Sequence, residues 1–416
     1  MAPEALPLVG VTICYVSAEA FSGGTRTLKQ AQTVSAAGAR VLFVGPEGLV
    51  PEMLNEPPFE VREVARRQLP AERFSANSVW LVRVALNLTV NRVVNTALRW
   101  FTRKHGDGYM ARGLVKDLAT EVVRSGADVV HSVDLPGLRC AHAARRKLRA
   151  KLVYDSHEYW RGFLKNPDLA AADSFAREML SAESTLIGRA DLVLVVSDAA
   201  GERLVADYGI GRPLTILNSP PWRVHEVRPV SRPVKLVFHG GLSADRNVDG
   251  LIRAMAYLRD RATLDIHGFG RTVSASSLQA LVDELALRDA VTVRGPFAYE
   301  AVIETIRGYD VGVLTARMVD ENFEIALPNK VFDCMCAGLA VAMSDSPAMR
   351  DLLDTVAFGV TLDPSTPETI AEGLDRLIGD PAAIAEMKHA AVSSSEAYWW
   401  PAQGHRLVDA IARLLG

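Results

Sequence analysis

The sequence has few cysteines and almost no net charge, and each shortage excludes a class of protein. Among its 416 residues the four cysteines are too few and too unevenly spaced for a disulfide framework or a zinc site, so we expect a reducing compartment. They are Cys14, Cys140, Cys334 and Cys336. The formal net charge is −3, so the chain as a whole lacks the positive charge that dominates nucleic-acid affinity. We therefore expect no nucleic-acid partner.

Long apolar runs are also missing. No stretch approaches the roughly 20 apolar residues of a membrane-spanning helix, and the first residues lack the basic start and apolar middle of a secretion signal. The sequence therefore predicts a cytoplasmic protein. Hydrophobic residues nevertheless make up 49% of the chain, enough for large cores, and the length predicts about two to four domains.

Several motifs of metal-dependent and covalent catalysis do not occur. The sequence has no Asp-x-Asp, no HExxH and no GxSxG, and no glycine-rich segment completes the GxGxxG fingerprint of dinucleotide binding. We therefore predict no metal and no resident cofactor. Lysine is also scarce: only nine of the 46 basic residues are lysine, and Lys330 is the only one between Lys235 and Lys388.

What the sequence does contain is a regular alternation of short apolar runs with segments of helical period. This pattern is typical of parallel sheets covered by helices on both faces, so the predicted fold class is α/β with two doubly wound, Rossmann-like domains. The first set of predicted strands is Val9–Val16, Ala39–Val44, Val129–Ser132, Lys151–Asp155 and Leu192–Ser197. The second set is Val234–His239, Thr263–His267, Val291–Val293, Val311–Thr315 and Ala340–Ser344.

The predicted domains are residues 1–220 and 234–396, joined by a polar, proline-containing linker at 221–233. A proline at Trp400-Pro401 interrupts the last helical segment, so residues 397–416 are predicted to return to the first domain. Because ligands of open α/β sheets bind beyond the carboxyl ends of the strands, two such sheets facing each other would form a ligand cleft.

Two glycine pairs follow predicted strands, where backbone amides can approach a phosphate. Gly23-Gly24 follows the first strand, and the alternative there is a tight strand-to-helix turn. Gly240-Gly241 precedes Arg246, whose guanidinium beside helix amides would suit a diphosphate. The alternative for Arg246 is a solvated surface charge.

The segment Pro328–Gly338 begins with a proline suited to a first helical turn and places Lys330 and Asp333 on neighbouring surface positions. A lysine at a helix N-terminus suits phosphate, and a carboxylate one turn later suits a ribose diol. The alternative is an ion pair on a solvated helix face.

Two histidines belong to predicted strands or their ends. His157, in Asp155–Glu158, could act toward a ligand as a donor or a proton carrier, or be structural. His131 is predicted to be buried and hydrogen-bonded.

At these motifs the sequence resembles the retaining glycosyltransferases of family 4, and the resemblance spans nearly the whole chain. Gly23-Gly24 matches the family's first glycine loop, and Asp155–Glu158 matches its Asp-x-His-Asp/Glu element. The segment Ala190–Ser197 looks like the family's Ala-Asp-x-Val…Ser strand. The segment Ala326–Gly338 is similar to the branch with Pro-Asn-Lys-x-Phe-Glu, where Asp333 replaces the glutamate.

The resemblance implies the two-domain GT-B fold and a nucleoside diphosphate sugar, with UDP or GDP, as co-substrate. Arg246 takes the place of the family's donor-site lysine, and Pro296-Phe297 corresponds to the loop that frames the base. The implied donor-binding residues are Gly23, Gly24, Gly240, Gly241, Phe297, Leu327, Pro328, Asn329 and Asp333.

The family's Glu-x7-Glu requires a carboxylate eight residues before Asp333, and this chain has Ile325 there. Glu324 is one position away and Glu321 four, so either the loop shifts to present Glu324 to the donor sugar or backbone amides make that contact. The departure keeps two alternatives open: a protein that binds a sugar nucleotide without transferring the sugar, and a GT-B-fold epimerase or phosphorylase.

The implied reaction transfers the sugar with retention at the anomeric carbon and without a metal ion. Charge accumulates on the departing diphosphate, and we assign its stabilisation to Arg246 and Lys330. His157 would hold the sugar or the acceptor, and the leaving phosphate oxygen would take the acceptor proton, as is inferred for the family.

The acceptor is predicted only as a class: a small molecule, a thiol or alcohol, or a glycan or lipid-linked sugar. Residues 81–105 contain five basic and no acidic residues between apolar ones. Such a segment can contact the inner face of a membrane weakly, or it can be an ordinary surface helix with one buried face. The sequence predicts no oligomeric state.

Overall fold

The computed structural model describes residues 6–18, 24–48, 59–65, 107–163, 174–270 and 273–416. Within them, apolar runs form two sheets. The first sheet comprises β1 (Thr12–Val16), β2 (Arg40–Pro46), β3 (Glu60–Val64), β4 (Val129–Val133), β5 (Lys151–Asp155), β6 (Leu192–Val195) and β7 (Leu214–Thr215). The second comprises β8 (Val234–Gly241), β9 (Ala262–Phe269), β10 (Val291–Arg294), β11 (Val311–Leu314), β12 (Ala340–Ser344) and β13 (Gly359–Leu362). The seven strands of the first sheet lie in the order β3-β2-β1-β4-β5-β6-β7, and the six of the second in the order β10-β9-β8-β11-β12-β13.

Helices connect these strands. Those before β8 are α1 (Gly24–Ala36), α2 (Asp107–Ser125), α3 (Asp134–Leu148), α4 (Trp160–Phe163), α5 (Ser174–Leu186) and α6 (Asp198–Tyr208). Those after β8 are α7 (Val248–Ala254), α8 (Ala275–Glu284), α9 (Val302–Ile306), α10 (Glu321–Ile325), α11 (Asn329–Cys336), α12 (Pro347–Thr355), α13 (Pro367–Ile378), α14 (Pro381–Tyr398) and α15 (Trp400–Leu415). The last helical segment is interrupted at Trp399, one residue before the predicted break.

The chain divides into two compact units, each built on one sheet. The first unit contains Met1–Val195, Glu202–Leu214 and Leu407–Gly416, and the second contains Val196–Gly201 and Thr215–Arg406. The strand pairs of the second sheet are all parallel, as are those from β3 to β6 in the first. The predicted α/β class with two parallel sheets is confirmed.

The second sheet is buried on both faces, as its uninterrupted apolar strands predict. Leu236 and Phe238 of β8 belong to one buried cluster, whereas Val237 between them belongs to another. Helices α7, α8 and α13 contribute to the first cluster, and α9, α11 and α12 to the second. The strand order reverses direction between β8 and β11, and ligands of open α/β sheets bind beside such a switch point.

Several strand boundaries differ from the prediction. Strand β1 begins only at Thr12, because residues 7–10 form a turn that leaves Val9 exposed. Strand β8 continues through Gly240 and Gly241, which therefore end the strand rather than form a loop after it. Strands β3, β7 and β13 were not predicted.

All four cysteines are free and buried. Burial raises the pKa of the Cys14 and Cys140 thiols to about 12. In the part of the chain that the structure describes, no helix is both long enough and apolar enough to cross a bilayer.

Candidate functional site

The carboxyl end of β8 lies against the side chain of Lys330 in the second unit. Gly240 has φ +118°, a backbone conformation that residues with a side chain rarely adopt. A Cβ atom at this position would overlap Lys330 Cε and lie 2.7 Å from Nζ. The glycine therefore gives the lysine side chain the space to lie across the end of the strand.

Lys330 lies in the first turn of α11, which Pro328 precedes as the N-cap residue. Burial of the ammonium group and the nearby Arg246 guanidinium lower the pKa of Lys330 from 10.5 to about 8. A lysine kept beside a second cation and a helix N-terminus is arranged to meet an anion.

Arg246 follows β8 in a single 3₁₀ turn, Ala244–Arg246. Its guanidinium carbon lies 5.1 Å from the centre of the Phe323 ring, and its Nε lies 3.6 Å from Asp245 Oδ2. Thr315 Oγ1, just after β11, lies 3.3 Å from the backbone carbonyl oxygen of Arg246. The predicted cations Arg246 and Lys330 are thus brought together at the switch point.

Asp333 is buried, which corrects the prediction of a surface position next to Lys330. Its Oδ2 lies 3.1 Å from Nε2 of His239, the residue before Gly240 in β8. Asp333 faces inward because α11 is amphipathic and packs on the sheet, where a carboxylate needs a polar partner. No ion pair joins Lys330 to Asp333 among the described residues.

Two histidines at the ends of neighbouring strands flank Phe297. His239 and His267 are directly opposite each other in β8 and β9. Their rings lie 6.1 Å and 5.2 Å from the Phe297 ring centre, respectively. His267 Nε2 also lies 3.3 Å from the Tyr309 hydroxyl, and burial lowers the pKa of His267.

Neither histidine was among the predicted site residues. The sequence did contain a signal for them, since His239-Gly240 and His267-Gly268 repeat a His-Gly pair at the ends of two predicted strands. A Cβ at Gly268 would lie 2.6 Å from the Gly240 carbonyl oxygen, so the second glycine allows the two strand ends to approach closely.

The candidates for the family's missing carboxylate lie on α10, a five-residue helix capped by Asp320. The Asp320 side chain accepts a hydrogen bond from the Phe323 amide. Glu324 lies within this helix and is exposed, whereas the prediction placed it in a loop. Glu321 and Ile325 of the same helix are buried. Leu327 and Pro328 then connect α10 to α11, with Asn329 as the exposed first residue of α11.

In the first unit, His157 belongs to a buried polar cluster around Asp155 at the end of β5. Arg26 contacts both carboxylate oxygens of Asp155, at 3.0 and 2.7 Å, and Gln30 donates at 2.8 Å. His157 Nε2 lies 3.0 Å from Asp155 Oδ2. Burial opposes ionisation of Asp155, but the Arg26 guanidinium outweighs it and holds the pKa of this carboxyl well below its usual range.

The cluster also sets the protonation of its histidines. Burial alone would lower the pKa of His157, but the Asp155 carboxylate outweighs it and raises that pKa. His131 is buried as predicted, yet its Nε2 lies 3.7 Å from Asp155 Oδ2. Neither ring nitrogen has a hydrogen-bond partner among the described residues, so the predicted hydrogen bond is not found. Burial lowers the pKa of His131.

Two predictions lie wholly or partly outside the described residues. Gly23 is not described, and Gly24 is described only as the first residue of α1. The basic segment 81–105 is not described either. Among the residues that are described, no group of three or more His, Cys, Asp or Glu side chains could hold a metal ion.

Two family models match the chain over separate segments. The model described as Glycosyltransferase Family 4 matches residues 24–219, and the one described as Glycosyl transferases group 1 matches residues 233–380. The D-inositol 3-phosphate glycosyltransferase of Xylanimonas cellulosilytica is 23% identical over 44% of this chain, which spans only 43% of that relative's length. The D-inositol 3-phosphate glycosyltransferase 1 of Catenulispora acidiphila is 23% identical over 68% of this chain and 71% of its own length.

Solved structures share the fold. HepE from Anabaena, in complex with UDP, is 15% identical and superposes with a TM-score of 0.70 over 97% of this chain and 100% of its own. At this identity the likeness shows the fold alone. With two Rossmann-like units on parallel sheets the chain has the GT-B fold, and glycosyltransferase family models match the segments that form both units.

Proposed function

We propose that the chain transfers a sugar from a nucleoside diphosphate sugar, with UDP as the preferred nucleotide, to an acceptor hydroxyl or thiol. Transfer proceeds with retention at the anomeric carbon and without a metal ion. The observation that carries this proposal is the pairing of Arg246 and Lys330 beside the end of β8 and the N-terminus of α11.

The two cations meet the main electrostatic demand of the reaction. As the bond between sugar and diphosphate breaks, negative charge grows on the departing phosphate while the sugar becomes oxocarbenium-like. Preorganised positive groups stabilise this charge, and removing one such group typically costs about 3 to 4 kcal/mol. Arg246 and Lys330 supply these charges, and the N-terminus of α11 adds the positive end of a helix dipole.

The neighbouring residues bind the nucleoside. Asp333, held by His239, accepts a hydrogen bond from a ribose hydroxyl. The aromatic group of Phe297, His239 and His267 frames the base. The base is uridine in this proposal, which is supported by HepE, a protein of the same fold that was solved in complex with UDP.

The donor sugar lies beside Leu327 and Pro328, where either Glu324 or backbone amides contact its hydroxyls. In the first unit, His157 holds the sugar or the acceptor. The leaving phosphate oxygen takes the acceptor proton, so no protein carboxylate acts as a covalent nucleophile.

A mass-spectrometric screen with a panel of nucleotide sugars tests the proposal. The purified chain is incubated with UDP-glucose, UDP-galactose, UDP-N-acetylglucosamine and GDP-mannose, and the free nucleoside diphosphate is measured. We expect slow release of one nucleoside diphosphate even with water as acceptor, and retention in any transferred product by proton NMR. Binding without any hydrolysis would instead identify a sugar-nucleotide-binding protein, and an isomerised nucleotide sugar would identify an epimerase.

A further inference from the structure

Ser197 makes two hydrogen bonds, one to a distant part of the sequence and one within its own turn. Its side-chain oxygen donates to the backbone carbonyl of Ile325 at 2.7 Å and accepts from the Ala200 amide at 3.1 Å. Ser197 is only 1% exposed, so both bonds are buried. The second bond is that of an N-cap residue, because Ser197 directly precedes α6.

The first bond fixes the end of α10. Ile325 is the last residue of this helix, and its carbonyl is one of the four that a helix leaves without an internal partner. A helix of five residues has little stability of its own, so its position depends on the groups that hold its ends. Asp320 caps one end and Ser197 holds the other.

The position of α10 matters because both cations depend on it. Its Phe323 ring lies 5.1 Å from the Arg246 guanidinium. Only three residues, Ala326–Pro328, separate α10 from α11, which carries Lys330 in its first turn. A shift of α10 would therefore move the Phe323 ring that lies against Arg246. It would also move the 326–328 connection that leads to Lys330.

Close packing does not hold this connection on the side of Ser197. A cavity of about 400 Å³ is lined by Ser197 and by Leu327, together with residues of α12 and α14. Leu327 packs against the second buried cluster on its other contacts, so the cavity leaves the connection unsupported by packing only beside Ser197. The Ser197 hydrogen bond therefore has to restrain it.

We propose that Ser197 is a positioning residue for donor binding: by holding the Ile325 carbonyl it sets the positions of α10 and of the 326–328 connection, and thereby of Arg246 and Lys330. The proposal rests on the proposed function for its catalytic meaning. Its structural part, the tether itself, does not depend on what the site binds.

The test compares Ser197→Ala with a matched variant. Ser346 is also 1% exposed and caps a helix of the same unit, since its hydroxyl accepts from the Met349 amide at 3.3 Å. Ser346→Ala therefore reports the loss of a buried serine cap without the Ile325 bond. Ser197→Cys, which has a weak donor of similar shape, serves if Ser197→Ala does not fold. Ser197→Thr keeps the hydroxyl.

Hydrogen exchange of the free protein is the first measurement. We expect faster exchange of the amides of residues 323–327 in Ser197→Ala and Ser197→Cys, and no change there in Ser346→Ala. Unchanged exchange in both Ser197 variants would overturn the proposal. This measurement needs no donor, so it remains decisive even if the chain transfers no sugar.

The second measurement separates positioning from stability. We expect Ser197→Ala to bind UDP about tenfold more weakly and to lower kcat for donor hydrolysis about tenfold, since losing one buried hydrogen bond is an effect of this order. Ser197→Thr and Ser346→Ala should stay within about twofold of the parent, even where Ser346→Ala lowers the Tm as much as Ser197→Ala. Equal UDP affinity and kcat in Ser197→Ala and Ser346→Ala would overturn the proposal, whereas a parent that binds no nucleotide would contradict the proposed function instead.

Discussion

The side chain of Lys330 occupies the space where a side chain at Gly240 would begin. The two residues lie 90 positions apart in the sequence and meet only because the end of β8 and the start of α11 adjoin in the second unit. Gly240 therefore has two physical requirements, its positive φ and the volume of Lys330, and both exclude a larger residue.

Gly240→Ala is expected to displace Lys330 and to lower turnover nearly as much as Lys330→Ala does. Gly308→Ala is the matched control in the same unit, because a Cβ at Gly308 meets nothing within 4 Å and its φ lies outside the left-handed region. Steady-state kinetics with the donor found in the screen check the prediction. In a Lys330→Ala background the further effect of Gly240→Ala on kcat should be small, and two fully additive losses would show that the residues act independently.

Affinity for UDP is expected to fall as the pH rises through about 8. The pKa of Lys330 is lowered to about 8 in the free protein, so the ammonium group loses its proton above that pH, while a bound diphosphate favours the charged form and takes up a proton. Calorimetric titrations with UDP between about pH 7 and about pH 9.5, in buffers of different ionisation enthalpy, measure both effects. Lys330→Arg stays charged and should flatten the profile; an unchanged slope in that variant would assign the titration to another group.

Activity is expected to survive a chelator but not the loss of either cation. Arg246→Ala and Lys330→Ala should each lower kcat about 10²- to 10³-fold without lowering the Tm, because the two side chains act on the leaving group rather than in a core.

Since these charges take the role that a metal would have, EDTA should leave the parent rate unchanged. An absolute requirement for magnesium or manganese would show that the diphosphate is bound elsewhere.

The two carboxylates of the proposed donor site, Glu324 and Asp333, differ in burial. Glu324→Gln should lower kcat about ten- to 150-fold with little change in donor affinity or Tm, since Glu324 is exposed and would act mainly in the transition state. Asp333→Asn should chiefly weaken donor binding, and because Asp333 also holds His239, a His239→Gln change should add little to it. Full activity of Glu324→Gln would favour the amides around Leu327 as the sugar contacts.

In the first unit, Asp155→Asn is expected to destabilise the fold by about 3 to 5 kcal/mol, because it leaves the buried Arg26 guanidinium without its counter-charge. Denaturant unfolding followed by a probe in this unit measures the loss. Arg124→Ala, which removes a solvent-exposed pair with Glu121, is the control and should stay close to the parent.

The same variant tests the electrostatics of the cluster. The pKa of His157 is raised in the folded parent, so its charge stabilises the fold at low pH and this contribution disappears as the pH rises through the folded pKa. The pKa of Asp155 is lowered, so its contribution is present at neutral pH and disappears as the pH falls through that value. NMR titration should therefore find the pKa of His157 above its ordinary value in the parent and lower in Asp155→Asn. An unchanged His157 pKa would contradict this account.

The sequence predicted the central strands well and the edges poorly. All ten predicted strands exist, because strands buried on both faces have continuous apolar runs in their sequences. The three missed strands, β3, β7 and β13, are all at sheet edges. Strand β3 reads Glu-Val-Arg-Glu-Val and is only partly buried, so its residues give no apolar run. Strand β7 has only two residues.

The glycines, Arg246 and Lys330 of the proposed donor site could be identified from the sequence because each is part of a local motif next to a predicted strand or helix. The side chains that these residues contact could not be predicted from the sequence. The contact of Asp333 with His239 depends on which side of α11 faces the end of β8, and the placement of Phe297 between His239 and His267 depends on the register of β8 with β9. Such information lies in long-range packing rather than in the spacing of residues along the chain.

The burial of all four cysteines makes the native chain a ready background for site-specific labelling. Thiols with a pKa near 12 carry almost no thiolate at neutral pH, and the thiolate is the form that maleimides and iodoacetamides attack. An introduced cysteine would therefore react alone. Phe269 is a suitable position, since it is 67% exposed and pairs in register with Gly241 at the end of β9. A fluorophore on Phe269→Cys would report nucleotide binding at the strand ends without removal of any native thiol.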